Sequence, residues 1–189
     1  MALEPVTVVV TSSFPFGGGE QFIESEAPHW ARTRGRVVFL PEKTEDLPAR
    51  PLPGQFEVRT DLADAWWSRP AQVRAAARAA CSGLWWRELA YLARHGLLSP
   101  YRVRHAFLSA TRVMMVLASL RRLAAEIGRP IDLVYAYWLS VSATAAVLAR
   151  RQGVARRAVA RAHGTDVYED ARPERYTALI RQIAPELDV

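Results

Sequence analysis

His163-Gly164-Thr165-Asp166 places a titratable imidazole three residues before a carboxylate. Histidine changes charge near neutral pH, and a nearby aspartate can orient it or cap the next helix. Two readings follow: a catalytic His163 supported by Asp166 and Gly164, or a capping Asp166 with a histidine bonded only to backbone. Gly17-Gly18-Gly19 precedes Glu20 and offers backbone that a ligand can approach closely. With a helix behind it, such a loop can cradle a phosphate or polar sugar, or it can be a tight turn with Glu20 at the helix start. It is neither a G-x-G-x-x-G fingerprint nor a Walker loop. Tyr135-Ala136-Tyr137-Trp138 supplies aromatic faces that stack on sugars or fill a core, and alternation puts Tyr135 and Tyr137 on one side. Histidines at 29, 95, 105 and 163 and the single cysteine, Cys81, have no metal-ligand spacing, so neither metal nor cofactor is expected.

The elements that must position these residues alternate. A β-branched run over 6–11 reads as a buried parallel strand, followed by the glycine loop and a helix from Glu20 that Pro28 bends or ends near Trp30. Gly35 precedes a second strand over 37–40, and a proline-rich connection leads to a short third strand over 56–59. Helical patterns run from Ala71 to about Arg94 and from Tyr101 to Ile127. A fourth strand over 133–136, a helix over 140–152 and a fifth strand over 158–162 follow, and 186–189 reads as the opening of a sixth. The expected fold is α/β, a Rossmann-like parallel sheet with flanking helices and a helical insertion of about 69–128. Such sheets bind ligands beyond the carboxyl ends of their strands, where the loops holding Gly17, Trp138 and His163 fall.

The 189 residues suit one α/β domain, 50% apolar and 23% charged. The net charge of +6 is uneven: residues 69–129 carry +9 and the remainder −3. The stretch from Trp66-Trp67 through Trp85-Trp86 to Arg122 combines tryptophans with these arginines, a mixture suited to peripheral contact with anionic lipid headgroups or, more plainly, to a core with a solvated rim. Nucleic acid is not an expected partner, since charge alone argues for it and no recognition motif is present. The N-terminus has no basic region followed by a long apolar stretch, and the expected compartment is the cytosol, at most peripheral to a membrane.

Ser12-Ser13-Phe14-Pro15, Gly18-Gly19-Glu20, Gly35, Tyr135-Ala136-Tyr137-Trp138 and Arg161 through Tyr168 together resemble family 4 of the glycosyltransferases, whose GT-B fold pairs two Rossmann-like domains. The resemblance spans nearly the whole chain. It implies an N-terminal, acceptor-side domain over 1–189, with Gly18 and Gly19 over the interdomain cleft and His163 approaching the donor sugar. It further implies retaining transfer from a nucleotide sugar to a glycan or lipid-linked acceptor. Many members have histidine near Tyr135 and Tyr137. The family's donor-binding pair of glutamates separated by seven residues is absent here, so the donor-binding C-terminal domain is expected to be missing and the chain alone inactive. Alternatives are a sugar phosphorylase or nucleotide-sugar epimerase of the same fold, and a non-catalytic binding or scaffolding subunit.

Overall fold

The structure, a computed structural model, describes residues 4–17, 19–32, 35–44, 52, 56–168, 170 and 172–188. Strands β1 (Val6–Thr11), β2 (Arg36–Pro41), β3 (Phe56–Val58), β4 (Ile131–Ala136) and β5 (Ala155–Ala160) form one all-parallel sheet in the order β3-β2-β1-β4-β5. The order reverses between β1 and β4, making a switch point at the carboxyl edge beside β1.

Alternation splits the core. Val8, Val10, Val38, Leu40, Val134 and Ala136 face the large helical layer, whereas Val9, Val37, Phe39 and Tyr137 join Ile23 of α1 (Phe22–Trp30) on the other face. Helix α1 runs through Pro28 to Trp30, so that proline does not end it. Gly35 is required by a close approach: a Cβ there would meet the Pro5 carbonyl oxygen at 2.8 Å, and Arg36 N–H donates to that oxygen at 2.9 Å.

The insertion begins earlier than the apolar spacing suggests and has four pieces: α2 (Asp61–Trp67), α3 (Arg69–Ala80), α4 (Gly83–Arg94) and α5 (Pro100–Ile127). The continuous helix expected from Ala71 to Arg94 breaks at Ser82, whose hydroxyl donates to Ala79 O at 2.7 Å and accepts from Trp85 N–H at 3.3 Å. A hydroxyl competing for backbone groups is a local stop-and-start signal that apolar periodicity does not register. Helix α5 opens on Ser99, which accepts from Arg102 N–H, with Pro100 in the first turn, and closes on Gly128 in the left-handed region. Helix α6 (Val141–Arg151) joins β4 to β5 and packs against α5.

Strand β5 lies three residues ahead of the expected start, with Ala155 opposite Ile131 and Ala160 opposite Ala136. The displacement is that of an edge strand, where exposed Arg156 and Arg157 are tolerated beside buried Ala155 and Ala158. No sixth strand forms among the described residues. The chain from 173 to 186 makes three short 3-10 turns, and Asp188 closes on the sheet instead: its N–H donates to Ala158 O at 2.8 Å and its carboxylate accepts from Ala158 N–H at 2.7 Å.

Candidate functional site

The loop after β1 folds around a carboxylate. Glu20 is buried, with a left-handed backbone at φ 59°, and accepts from the N–H groups of Ser12 (2.7 Å), Ser13 (2.9 Å) and Phe14 (2.8 Å). A fourth donor, the Trp138 indole N–H at 2.7 Å, comes from the loop after β4. The amides of Ser12, Ser13 and Phe14 thus form a cradle on this loop, filled by the chain's own Glu20 carboxylate. Glu20 does not start α1, whose N-cap is Gln21. Gly17 serves the turn, buried at φ 71°; Gly19 is exposed, with Ser13 Oγ 3.9 Å from where a Cβ would stand; Gly18 lies outside the described residues.

The loop after β5 is tied to the same structure. His163 Nε2–H donates to Tyr137 O at 3.1 Å, since a carbonyl can only accept, and its ring lies 4.3 Å from that of Trp138 and 5.0 Å from that of Tyr137. His163 is also the N-cap of the short helix α7 (Gly164–Val167), in a capping box where its ring faces the Asp166 N–H. Asp166, buried, accepts from His163 N–H and Leu139 N–H, both at 3.2 Å, and meets Arg172 at 3.5 Å. The arrangement is that of the second reading, a capping Asp166 with the His163 ring bonded to backbone, and by capping Asp166 binds the loops after β4 and β5 together.

Tyr137 is corrected from cleft wall to core: it is 0% exposed, so no ligand reaches its ring. Arg161 lies 5.7 Å from that ring and pairs with Glu26. Burial raises the Tyr137 phenol pKa. Half-buried Trp138 and His163 form the accessible wall, and Gly164 leaves room for the Tyr168 ring, 3.5 Å from where its Cβ would stand. Asp166 also borders a cavity of about 480 Å³ together with Leu139, Tyr168, Thr177 and Arg181; the Trp138 and His163 rings do not line it. That volume is in the range of small-molecule sites.

A second cavity of about 190 Å³ shares Leu139, Thr177 and Ile180 with the first and is bordered by Glu42, His105, Arg112 and Arg172. None of these was singled out from the sequence. Glu42 directly follows β2, so the carboxyl-edge rule alone could have found it. The others come from α5 and the C-terminal turns, whose approach to the sheet has no local signal. Burial raises the Glu42 pKa, with the Ser142 hydroxyl bond and Arg112 pulling it down. The His105 pKa is lowered by burial, then by Arg112 and Arg172. No group of three or more His, Cys, Asp or Glu side chains able to hold a metal occurs among the described residues.

Fold and site together define a Rossmann-like α/β domain: an all-parallel five-stranded sheet flanked by helices, with cavities bordered by charged side chains at its carboxyl edge. No family model matches the sequence, and no curated protein or solved structure matches it. No helix among the described residues is long and apolar enough to cross a membrane.

Proposed function

We propose that the chain is the acceptor-side domain of a GT-B glycosyltransferase, which transfers a sugar from a nucleotide-sugar donor to a glycan or lipid-linked acceptor with retention. The observation that carries this reading is the half-buried pair of Trp138 and His163 rings at the sheet's carboxyl edge, tied through the capping Asp166 to a neighbouring cavity of about 480 Å³. Half-buried aromatic rings beside fixed polar groups suit a sugar, which has apolar faces and hydroxyl edges. The nucleotide is held by a second Rossmann-like domain, and no resident cofactor is required. When that domain closes, a hydrogen bond from His163 Nε2 to the donor sugar replaces the one to Tyr137 O.

The test joins the chain to the donor-binding domain of a family 4 glycosyltransferase and measures transfer of radiolabelled sugar. His163→Ala lowers turnover by about 30- to 1,000-fold, the range for a polar contact strengthened in the transition state at about 2 to 4 kcal/mol. Unchanged turnover in His163→Ala removes that residue from the site. One observation favours a second reading, a non-catalytic acceptor-binding subunit: the Glu20 carboxylate and the His163 Nε2 are already bonded within the chain. Saccharide binding without transfer under any pairing with a donor-binding domain would select that reading.

A further inference from the structure

Three features converge on the smaller cavity. Arg112 of α5 and Arg172 of the C-terminal turns border it, and both depress the His105 pKa, which places two cations and an imidazole around one space. Arg112 is also braced on Trp66, its guanidinium 5.2 Å from the ring centroid. The 11-residue helix α6 begins at the cavity with Ser140 and Val141, and the Ser140 side chain caps none of the first-turn N–H groups. A helix N-terminus left open in this way favours an anion. Independently, Thr177 is 8% exposed and borders the cavity, and its hydroxyl oxygen has no hydrogen-bond partner among the described residues. A buried hydroxyl without a partner is costly unless something supplies one. Glu42 is the opposing carboxyl, and its raised pKa weakens the charge it sets against an anion.

We infer that this cavity is a phosphoryl-binding subsite, held by Arg112, Arg172, Thr177 and the first turn of α6. The space of about 190 Å³ is below the roughly 300 Å³ at which drug-sized ligand sites begin, so it takes one phosphoryl group or a small headgroup rather than a whole nucleotide sugar. The adjoining larger cavity, across Leu139 and Thr177, takes the polyol that carries the group. The acceptor is thus a phosphate monoester, soluble or as a lipid headgroup. This identification of the acceptor rests on the glycosyltransferase reading; the binding does not.

The test titrates the purified chain with inorganic phosphate by calorimetry, then compares a sugar 6-phosphate with the same sugar unphosphorylated, and vesicles of phosphatidic acid with vesicles of phosphatidylserine at matched surface charge. Phosphate and the sugar phosphate bind at one site and the plain sugar binds at least tenfold more weakly. Arg112→Gln and Arg172→Gln each weaken phosphate about tenfold or more, as expected for one charge-assisted hydrogen bond. Thr177→Val does so by a few-fold with a melting temperature that is not lowered, since the hydroxyl it removes has no partner, and Arg87→Gln, on α4 and outside this cavity, has no effect. Preference for phosphatidic acid vesicles that disappears in Arg172→Gln assigns the group to a lipid; binding of the soluble phosphate alone assigns it to a free metabolite. Both support the subsite. Phosphate binding that is absent, or unchanged in both arginine variants, overturns it. Sugar transfer to an unphosphorylated acceptor without phosphate binding would refute the subsite and leave the glycosyltransferase reading standing.

Discussion

The Trp138 indole N–H donates to the Glu20 carboxylate at 2.7 Å, across 118 residues of sequence, and so locks the loop after β4 to the loop after β1. The same carboxylate gathers three consecutive amides, which makes Glu20 the keystone of the carboxyl edge. Glu20→Ala leaves four donors without their acceptor. The expected loss is about 2 to 4 kcal/mol, or a fall of roughly 4 to 16 °C in melting temperature for a chain of this size. Trp138→Phe removes one donor and costs about 1 kcal/mol. Thermal and denaturant melts of both variants check the order, and a Glu20→Ala protein as stable as the parent would refute the keystone role.

Glu42 predicts a pH dependence. Its folded-state pKa is raised above 4.5 chiefly by burial, so the folded chain binds this proton more tightly than the unfolded chain. Its contribution to stability is present below pH 4.5 and falls as pH rises through the folded-state value. Glu42→Gln, which keeps a polar group of similar shape without the charge, therefore gains stability relative to the parent as pH rises from 4.5 toward 8. Paired melts across that range measure the difference, and a constant difference contradicts the assignment.

Glu88 on α4 is 3% exposed and accepts from the Tyr176 hydroxyl at 2.6 Å and from Gln182 Nε2 at 2.7 Å, fastening the C-terminal turns to the helical layer. Tyr176→Phe removes one of these donors from a buried carboxylate and is expected to cost about 1 to 3 kcal/mol. Burial and the Glu88 bond raise the Tyr176 pKa, so the neutral phenol is the form the fold favours. Its stabilisation is present below pH 10 and is lost as pH climbs above it. Hydrogen exchange of the 173–186 amides should accelerate in the variant while that of β1 changes least; equal acceleration of both would show that the fastening is global rather than local.

Arg74, Arg78, Arg121 and Arg122 border one groove of about 440 Å³ between α3 and α5, and exposed Trp67 and Val73 lie in the adjoining part of α2 and α3. If the helical layer meets a membrane, this is the face that does so. Reversal of Arg74 and Arg78 to Glu lowers affinity for anionic vesicles at least about tenfold, at roughly 1 kcal/mol per basic residue near such a surface. Arg87 is a weaker choice than its place in the basic segment suggests, since it lies on α4, turned to Gly83 O and bordering a different cavity. Cosedimentation with phosphatidylserine vesicles decides, and undiminished binding of the double reversal rules this face out.

Sequence by itself determined five of the strands, the parallel α/β class and the three loops that share the carboxyl edge, because β-branched runs, glycine turns and apolar spacing are local signals, but it also suggested a sixth strand over 186–189 that does not form among the described residues. It did not reveal the break at Ser82, the three-residue displacement of β5 or the C-terminal turns, where a hydroxyl, an edge position and buried polar contacts outweigh apolar pattern. His163, Trp138 and Asp166 were legible as candidates, but their arrangement was not: that Asp166 spans two loops, that Tyr137 is sealed in the core and that Glu20 fills the amide cradle all depend on contacts between residues far apart in the chain. The smaller cavity, bordered by Arg112, His105, Arg172 and Thr177, depends wholly on tertiary structure. Its members come from a helix and a terminal segment that only the packing of α5 against the sheet's edge brings together, and the cost of burying charge and unpartnered hydroxyls is defined only once that packing has removed water from them.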